Sequence, residues 1–309
     1  MQALIEVVLP VFLVIGMGYA AVWRGLMSDA AVDGLMKFAQ GFALPCLLFR
    51  ALSDLDLGQH FDLALLGSFY AGALAGFLAG LLGARFFFAR PWEDSVAIGF
   101  CCLFSNSLLL GVPIAERAYG AESLAANYAI VALHAPFCYL IGIGAMETVR
   151  NRGGGIGATL LRIARALGSN ALVIGLALGL AVNLTGLHVP AVLTDALDLM
   201  IRAALPAALF GLGGILYRYR PEGDLRTIAY VMAISLVLHP VVTWGLGKSL
   251  ALDAGQLRAA VLTGAMPPGV NAYLFANMYG VAKRVAASSV LLSTGAAILS
   301  AWIWLGILP

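Results

Sequence analysis

The chain has 309 residues, 61% of them hydrophobic and only 11% charged, with a mean hydropathy of +0.94. A soluble domain carries roughly 25% charged residues, so this composition excludes an ordinary globular protein and indicates an all-α polytopic membrane protein. The formal net charge of +2, with basic residues spread over short loops, leaves no footprint for a nucleic-acid partner.

Charged and Pro/Gly-rich punctuation divides the chain into ten apolar segments: residues 3–23, 33–52, 62–88, 94–118, 123–148, 168–186, 190–217, 227–249, 256–278 and 285–308. Several approach the ~20 residues needed to cross the hydrocarbon core. The first lacks a basic leader and a small-residue cleavage site, so it reads as a retained helix and not a signal peptide. The second and seventh carry Pro45 and Pro206, which predict kinks. Gly72, Gly76 and Gly80 in the third, and Gly175 and Gly179 in the sixth, form small-residue packing faces that could serve the monomer or a homodimer.

The fourth and ninth segments are interrupted. Ser105 to Gly120 (SNSLLLGVPIAERAYG) and Gly264 to Gly280 (GAMPPGVNAYLFANMYG) each combine Asn, Gly and Pro in apolar sequence and end on Tyr-Gly. In a bilayer, backbone freed by such interruptions is tolerated only where it is buried in protein or lines a cavity. A matched pair of broken helices therefore indicates a carrier's binding site.

Thirteen of the eighteen Lys and Arg residues fall in alternate loops, the group holding Arg24, Arg85, Arg150, Arg218 and Lys283. Cytoplasmic loops near membrane ends are enriched in such residues, which predicts an inner-membrane protein with both termini outward and the 150–167 loop cytoplasmic. Asn151 to Ile156 (NRGGGI) then links two five-helix halves, 1–149 and 168–309. A shift of 161 residues sets Gly18 on Gly179, Pro45 on Pro206 and Phe49 on Phe210, so that the motif LPxxLF repeats. An odd number of helices per half inverts the second half relative to the first, an architecture suited to alternating access.

Asn106 and Asn271, one in each interrupted segment, can donate N–H groups to a carboxylate without burying a charge. Capping of half-helices is the structural alternative. Gly111, Pro113, Pro267, Pro268 and Gly269 complete the candidate substrate site, chiefly by shaping its backbone. His134 and His239 lie deep in apolar sequence beside prolines and read either as a proton relay or as donors to freed carbonyls. Glu116 and Glu147 read as solvated, as do Asp54, Asp56 and Asp62, while Asp195 and Asp198 stand with Arg202 at helical spacing, as a structural ion pair or part of a cation site. Cys46, Cys101, Cys102 and Cys138 show no CxxC spacing and read as packing residues. No nucleotide loop or paired nucleophile and base appears, so no enzyme and no metal or cofactor is expected beyond a coupling ion, H⁺ or Na⁺.

LPVFLVIGMGYAAVWRGLM at Leu9 to Met27, ALPCLLF at Ala43 to Phe49 and the two interrupted blocks resemble the auxin efflux carrier family over nearly the whole chain. The family includes plant auxin carriers and bacterial malonate and malate carrier candidates. The resemblance implies ten helices in two inverted repeats, helices 4 and 9 crossing near mid-membrane, and Asn106 and Pro113 flanking a substrate carboxylate. Ala272 stands where the plant carriers have a proline, which argues against auxin and leaves an anion site. The expectation is a secondary transporter of small organic anions. The alternatives are an uncoupled uniporter or channel-like carrier for the same anions, and a membrane sensor that moves nothing.

Overall fold

Backbone polar groups in a bilayer must be satisfied within the protein, and these apolar segments do so by forming helices. The computed structural model describes residues 2–150 and 155–309. In chain order its helices of eight residues or more are α1 (Leu4–Trp23), α2 (Asp29–Ser53), α3 (Leu63–Phe86), α4 (Trp92–Leu103), α5 (Val112–Tyr119), α6 (Ala121–Arg150), α7 (Gly155–Gly168), α8 (Ala171–Thr185), α9 (Ala191–Arg218), α10 (Leu225–Ser249), α11 (Ala254–Gly264), α12 (Val270–Tyr279) and α13 (Lys283–Ile307). Seven of them, α1, α2, α3, α6, α9, α10 and α13, are long and apolar enough to cross a membrane.

Three of the ten expected segments do not form a single long helix. The fourth divides into α4 and α5, and the ninth into α11 and α12. The sixth is α8, 15 residues long, which meets α7 at a bend of 82°. Of the expected linker, residues 151–154 lie outside the described residues.

Proline shapes the long helices in a repeated way. Four π turns, Leu4–Val8, Ala39–Ala43, Ser107–Gly111 and Ile234–Leu238, stand immediately before Pro10, Pro45, Pro113 and Pro240. Proline lacks an N–H and its ring clashes with the carbonyl four residues back, and widening the preceding turn relieves that clash. The freed carbonyl then needs another donor. The Glu6 carbonyl accepts from Arg117 Nη2 at 2.6 Å, and the Leu236 carbonyl accepts from Ser300 Oγ and Trp304 Nε1, both at 3.2 Å. Pro206 is held inside α9 with no π turn.

Small residues bring the helices close. α1 lies on α9 with Gly18 against the Phe210 backbone, and α8 lies on α2 with Gly179 against the Phe49 backbone. Gly76 and Gly80 of α3 let α4 approach through Cys102. The two Tyr-Gly endings close α5 and α12 with Gly120 at φ +86° and Gly280 at φ +78°, a left-handed region that favours glycine.

Several surface expectations change in three dimensions. Glu147 is not solvated: α7 folds back across the end of α6, and Arg162 pairs with it. Asp198 lies 3.9 Å from Arg50, which also holds Asp54 at 2.7 Å, so its partner comes from α2 and not from Arg202 one turn along. Asp62 caps α3, accepting from the Ala64 N–H at 2.6 Å and from Gln256 at 3.0 Å.

Candidate functional site

The breaks in the fourth and ninth segments meet. After Leu103 the chain runs irregularly through Asn106, and after Gly264 it does so through Gly269. The Asn106 N–H donates to the Pro267 carbonyl at 2.8 Å and the Gly269 N–H to the Phe104 carbonyl at 2.9 Å, forming an antiparallel bridge between Ser105 and Pro268. Each break thus supplies partners for backbone that the other has freed.

A cavity of about 480 Å³ lies against this bridge. Its floor is formed by Ser105, Asn106, Ser107 and His134, all buried, with Asn271 half-buried in the wall. Leu48, Phe104, Val131, Leu172 and Leu176 supply apolar surface. Lys37 and Ser169 are exposed at the mouth, beside the half-buried Gln40 and Asn170. Lys37 is the one charged side chain among the described residues lining the cavity.

Asn106 is only 5% exposed, and its Nδ2 has no hydrogen-bond partner. A buried donor left unpaired costs about 1–3 kcal/mol, a cost that an acceptor from outside the chain would remove. The backbone favours the same chemistry. The turn that begins at Ser107 and the start of α12 at Gly269–Asn271 both reach the cavity wall, and neither N-cap is satisfied by a side chain. Unpaired N–H groups and the positive ends of helix dipoles favour an anion there. The start of α8 is a third helix end on the wall, where Asn170 Oδ1 accepts from the Leu172 N–H at 3.0 Å.

Of the residues expected at the site, the structure brings Asn106, Asn271, Gly269 and His134 onto the cavity wall. Pro267 and Pro268 lie in the bridge behind it, while Gly111 packs toward Thr263 and Met266, and Pro113 begins α5 in the interior. His239 is away from the cavity, beside Gly72 and Gly264 and with its ring centre 5.2 Å from that of Phe69. Pro45 lines a separate apolar groove with Cys46 and Gly175. Lys37, Gln40, Ser169 and Asn170 were not anticipated from sequence. The Ser-Asn pair before the apolar run of α8 is a helix-start signal that marks Asn170 as a cap, but nothing local in the sequence places Lys37 opposite Asn106.

Comparison with known proteins agrees with this architecture. The membrane transport protein family matches residues 3–154 and 159–305. The chain is 26% identical over 306 residues to a malonate transporter candidate of Rhizobium meliloti (strain 1021), covering 95% of this chain and 92% of the relative. It is 23% identical over 303 residues to the uncharacterized transporter YfdV of Escherichia coli (strain K12), covering 96% and 95%. An uncharacterized transporter of Methanothermobacter thermautotrophicus is 25% identical over 308 residues, covering 97% and 96%. A match over nearly the full length, on a helical membrane architecture with two bridged breaks, means that the chain belongs to the membrane transport protein family, the auxin efflux carriers whose motifs it resembles.

Proposed function

We propose that the protein is a secondary carrier of small organic carboxylates that works by alternating access, with its cargo held where α4–α5 and α11–α12 cross. The observation that carries this reading is the unpartnered, buried Nδ2 of Asn106, a residue on the wall of a cavity that no described carboxylate lines. A negatively charged oxygen would satisfy that amide and the nearby helix ends together. The name of the Rhizobium relative supports carboxylate cargo.

The same reading takes α4–α5 and α11–α12 as broken spans and α8 as a short one, with α7 left in the cytoplasmic linker, giving ten crossings in two inverted halves, 1–149 and 168–309. Support comes from the swapped contacts. Gly18 meets Phe210 while Gly179 meets Phe49, and each glycine and each phenylalanine is matched to its counterpart by the 161-residue shift. With basic loops on the cytoplasmic side of the inner membrane, both termini face outward and the mouth at Lys37 and Ser169 opens inward.

The test is a thermal-shift and calorimetric screen of mono- and dicarboxylates on the purified protein, followed by flux into proteoliposomes. Carboxylate binding that weakens about tenfold to 150-fold in Asn106→Ala is expected, from the loss of one hydrogen bond to a charged group. Binding without flux would leave a sensor and reject the carrier. Flux that cannot concentrate the cargo under any imposed ion gradient would make the protein a uniporter.

A further inference from the structure

His134 stands on α6 and reaches into the break of the fourth segment, with Nε2 3.2 Å from the Ser105 carbonyl oxygen. A carbonyl only accepts, so Nε2 carries the hydrogen. The other ring nitrogen, Nδ1, has Cys138 Sγ at 3.8 Å. Phe69, Tyr70 and Phe104 surround the ring with centroid separations of 5.6, 6.4 and 4.8 Å. The titratable groups nearby are Cys138, the Tyr70 hydroxyl, which donates to the Ile130 carbonyl at 2.6 Å, Tyr139 beyond Phe104 and His239 across Phe69. No carboxylate and no cation among the described residues pairs with the imidazole.

This environment gives one ring nitrogen a firm task and the other no ionic partner. The task falls on the peptide that precedes Asn106. Ser105 offers its carbonyl to His134, its hydroxyl is 2.7 Å from that of Ser107, and the next N–H, that of Asn106, donates to the Pro267 carbonyl. The Ser105–Asn106 peptide is therefore gripped from two sides, by α6 and by the partner break. Asn106 itself stands on the cavity wall, with its Nδ2 buried and left without a partner.

We propose that His134 is a positioning residue that acts as a neutral hydrogen-bond donor, fixing the Ser105–Asn106 peptide so that the Asn106 carboxamide is presented to cargo, and that it is not a proton relay. This rests on Asn106 as the cargo contact. A Gln amide nitrogen falls close to the position of Nε2, whereas Asn places its amide near Nδ1 and Phe supplies no donor. Binding of malonate, used as the probe, should stay within about threefold of wild type in His134→Gln and fall about tenfold in His134→Phe and His134→Asn.

A double-mutant cycle separates positioning from general damage: with Asn106→Ala already in place, His134→Phe should cost nothing further. Additive losses would overturn the proposal, and so would a His134→Gln variant as weak as His134→Phe. An Asn106→Ala variant that binds normally would reject the cargo contact itself, and His134 with it only as a positioner of that contact. A measurement without ligand stands beside these. Backbone amide exchange over residues 104–109 should speed up in His134→Phe and remain as in wild type in His134→Gln. Equal exchange in all three proteins would refute the grip on the peptide even if malonate is not bound.

Discussion

Gly18→Ala tests the close approach of α1 and α9. A Cβ at position 18 would lie 2.8 Å from the Phe210 carbonyl carbon and nearer still to its oxygen. Carbon atoms sit favourably at about 3.5–4.0 Å, so α1 would have to withdraw by roughly 0.7 Å or more along a well-packed face. Overpacking of this kind costs about 1–3 kcal/mol, and an approach through rigid backbone belongs at the upper end. Gly179→Ala meets the Phe49 Cα at 3.0 Å and should cost a similar amount at the matching α8–α2 contact. Gly16 is the control on the same helix: a Cβ there meets nothing within 4 Å, so Gly16→Ala should be neutral or stabilising by about 0.5–1 kcal/mol. Thermal unfolding in one detergent would order the three variants, and the losses from Gly18→Ala and Gly179→Ala should add because the contacts share no residue. A Gly18→Ala melting temperature equal to or above that of Gly16→Ala would refute the reasoning.

Lys37→Gln should weaken carboxylate binding and reduce its dependence on salt, since the exposed ammonium at the mouth is a screened charge; isothermal titration at two ionic strengths reads both. Replacing Trp304 by Phe together with Ser300 by Ala leaves the Leu236 carbonyl without donors, at a cost of about 1–3 kcal/mol, and adding Pro240→Ala should recover part of it by restoring an N–H. The Ala64 N–H first, and then Gln256, hold the Asp62 carboxyl below its ordinary range. A depressed folded value contributes stability above the unfolded value near 3.9, and loses it as pH falls through the folded value. Asp62→Asn should therefore flatten the stability loss in acid melts below about pH 4. A cysteine at Gly154 in a Cys-less background should resist impermeant reagents applied outside intact cells, and labelling there would reverse the proposed orientation.

The interrupted segments were legible because Asn, Gly and Pro are conspicuous in apolar sequence, and the breaks lie where those residues cluster. The π turns were not, since Pro45 and Pro240 announce a disturbed helix but do not say whether it kinks or widens. α8 looked like an ordinary span; its 15 residues and sharp joint with α7 depend on a packing angle that composition does not encode. At the cavity, Asn106 and Asn271 could be named from their segments, whereas Lys37 and Asn170 reach it only because α2 and the start of α8 converge there. The ion pairs stayed open for the same reason. Helical spacing set Asp195 and Asp198 on the side of Arg202, but it is a neighbouring helix that brings Arg50 to Asp198.

The bridge between Ser105 and Pro268 is made entirely of main-chain groups. A frame of that kind tolerates changes in the side chains hung on it, because its two closing hydrogen bonds use none of them and the side-chain brace from His134 comes from another helix. Ser105, Asn271 and Val270 can therefore be exchanged one at a time without dismantling the junction, and each exchange alters the chemistry of the wall. In such a scaffold the chemistry of the cavity wall changes by point substitutions around a fixed knot.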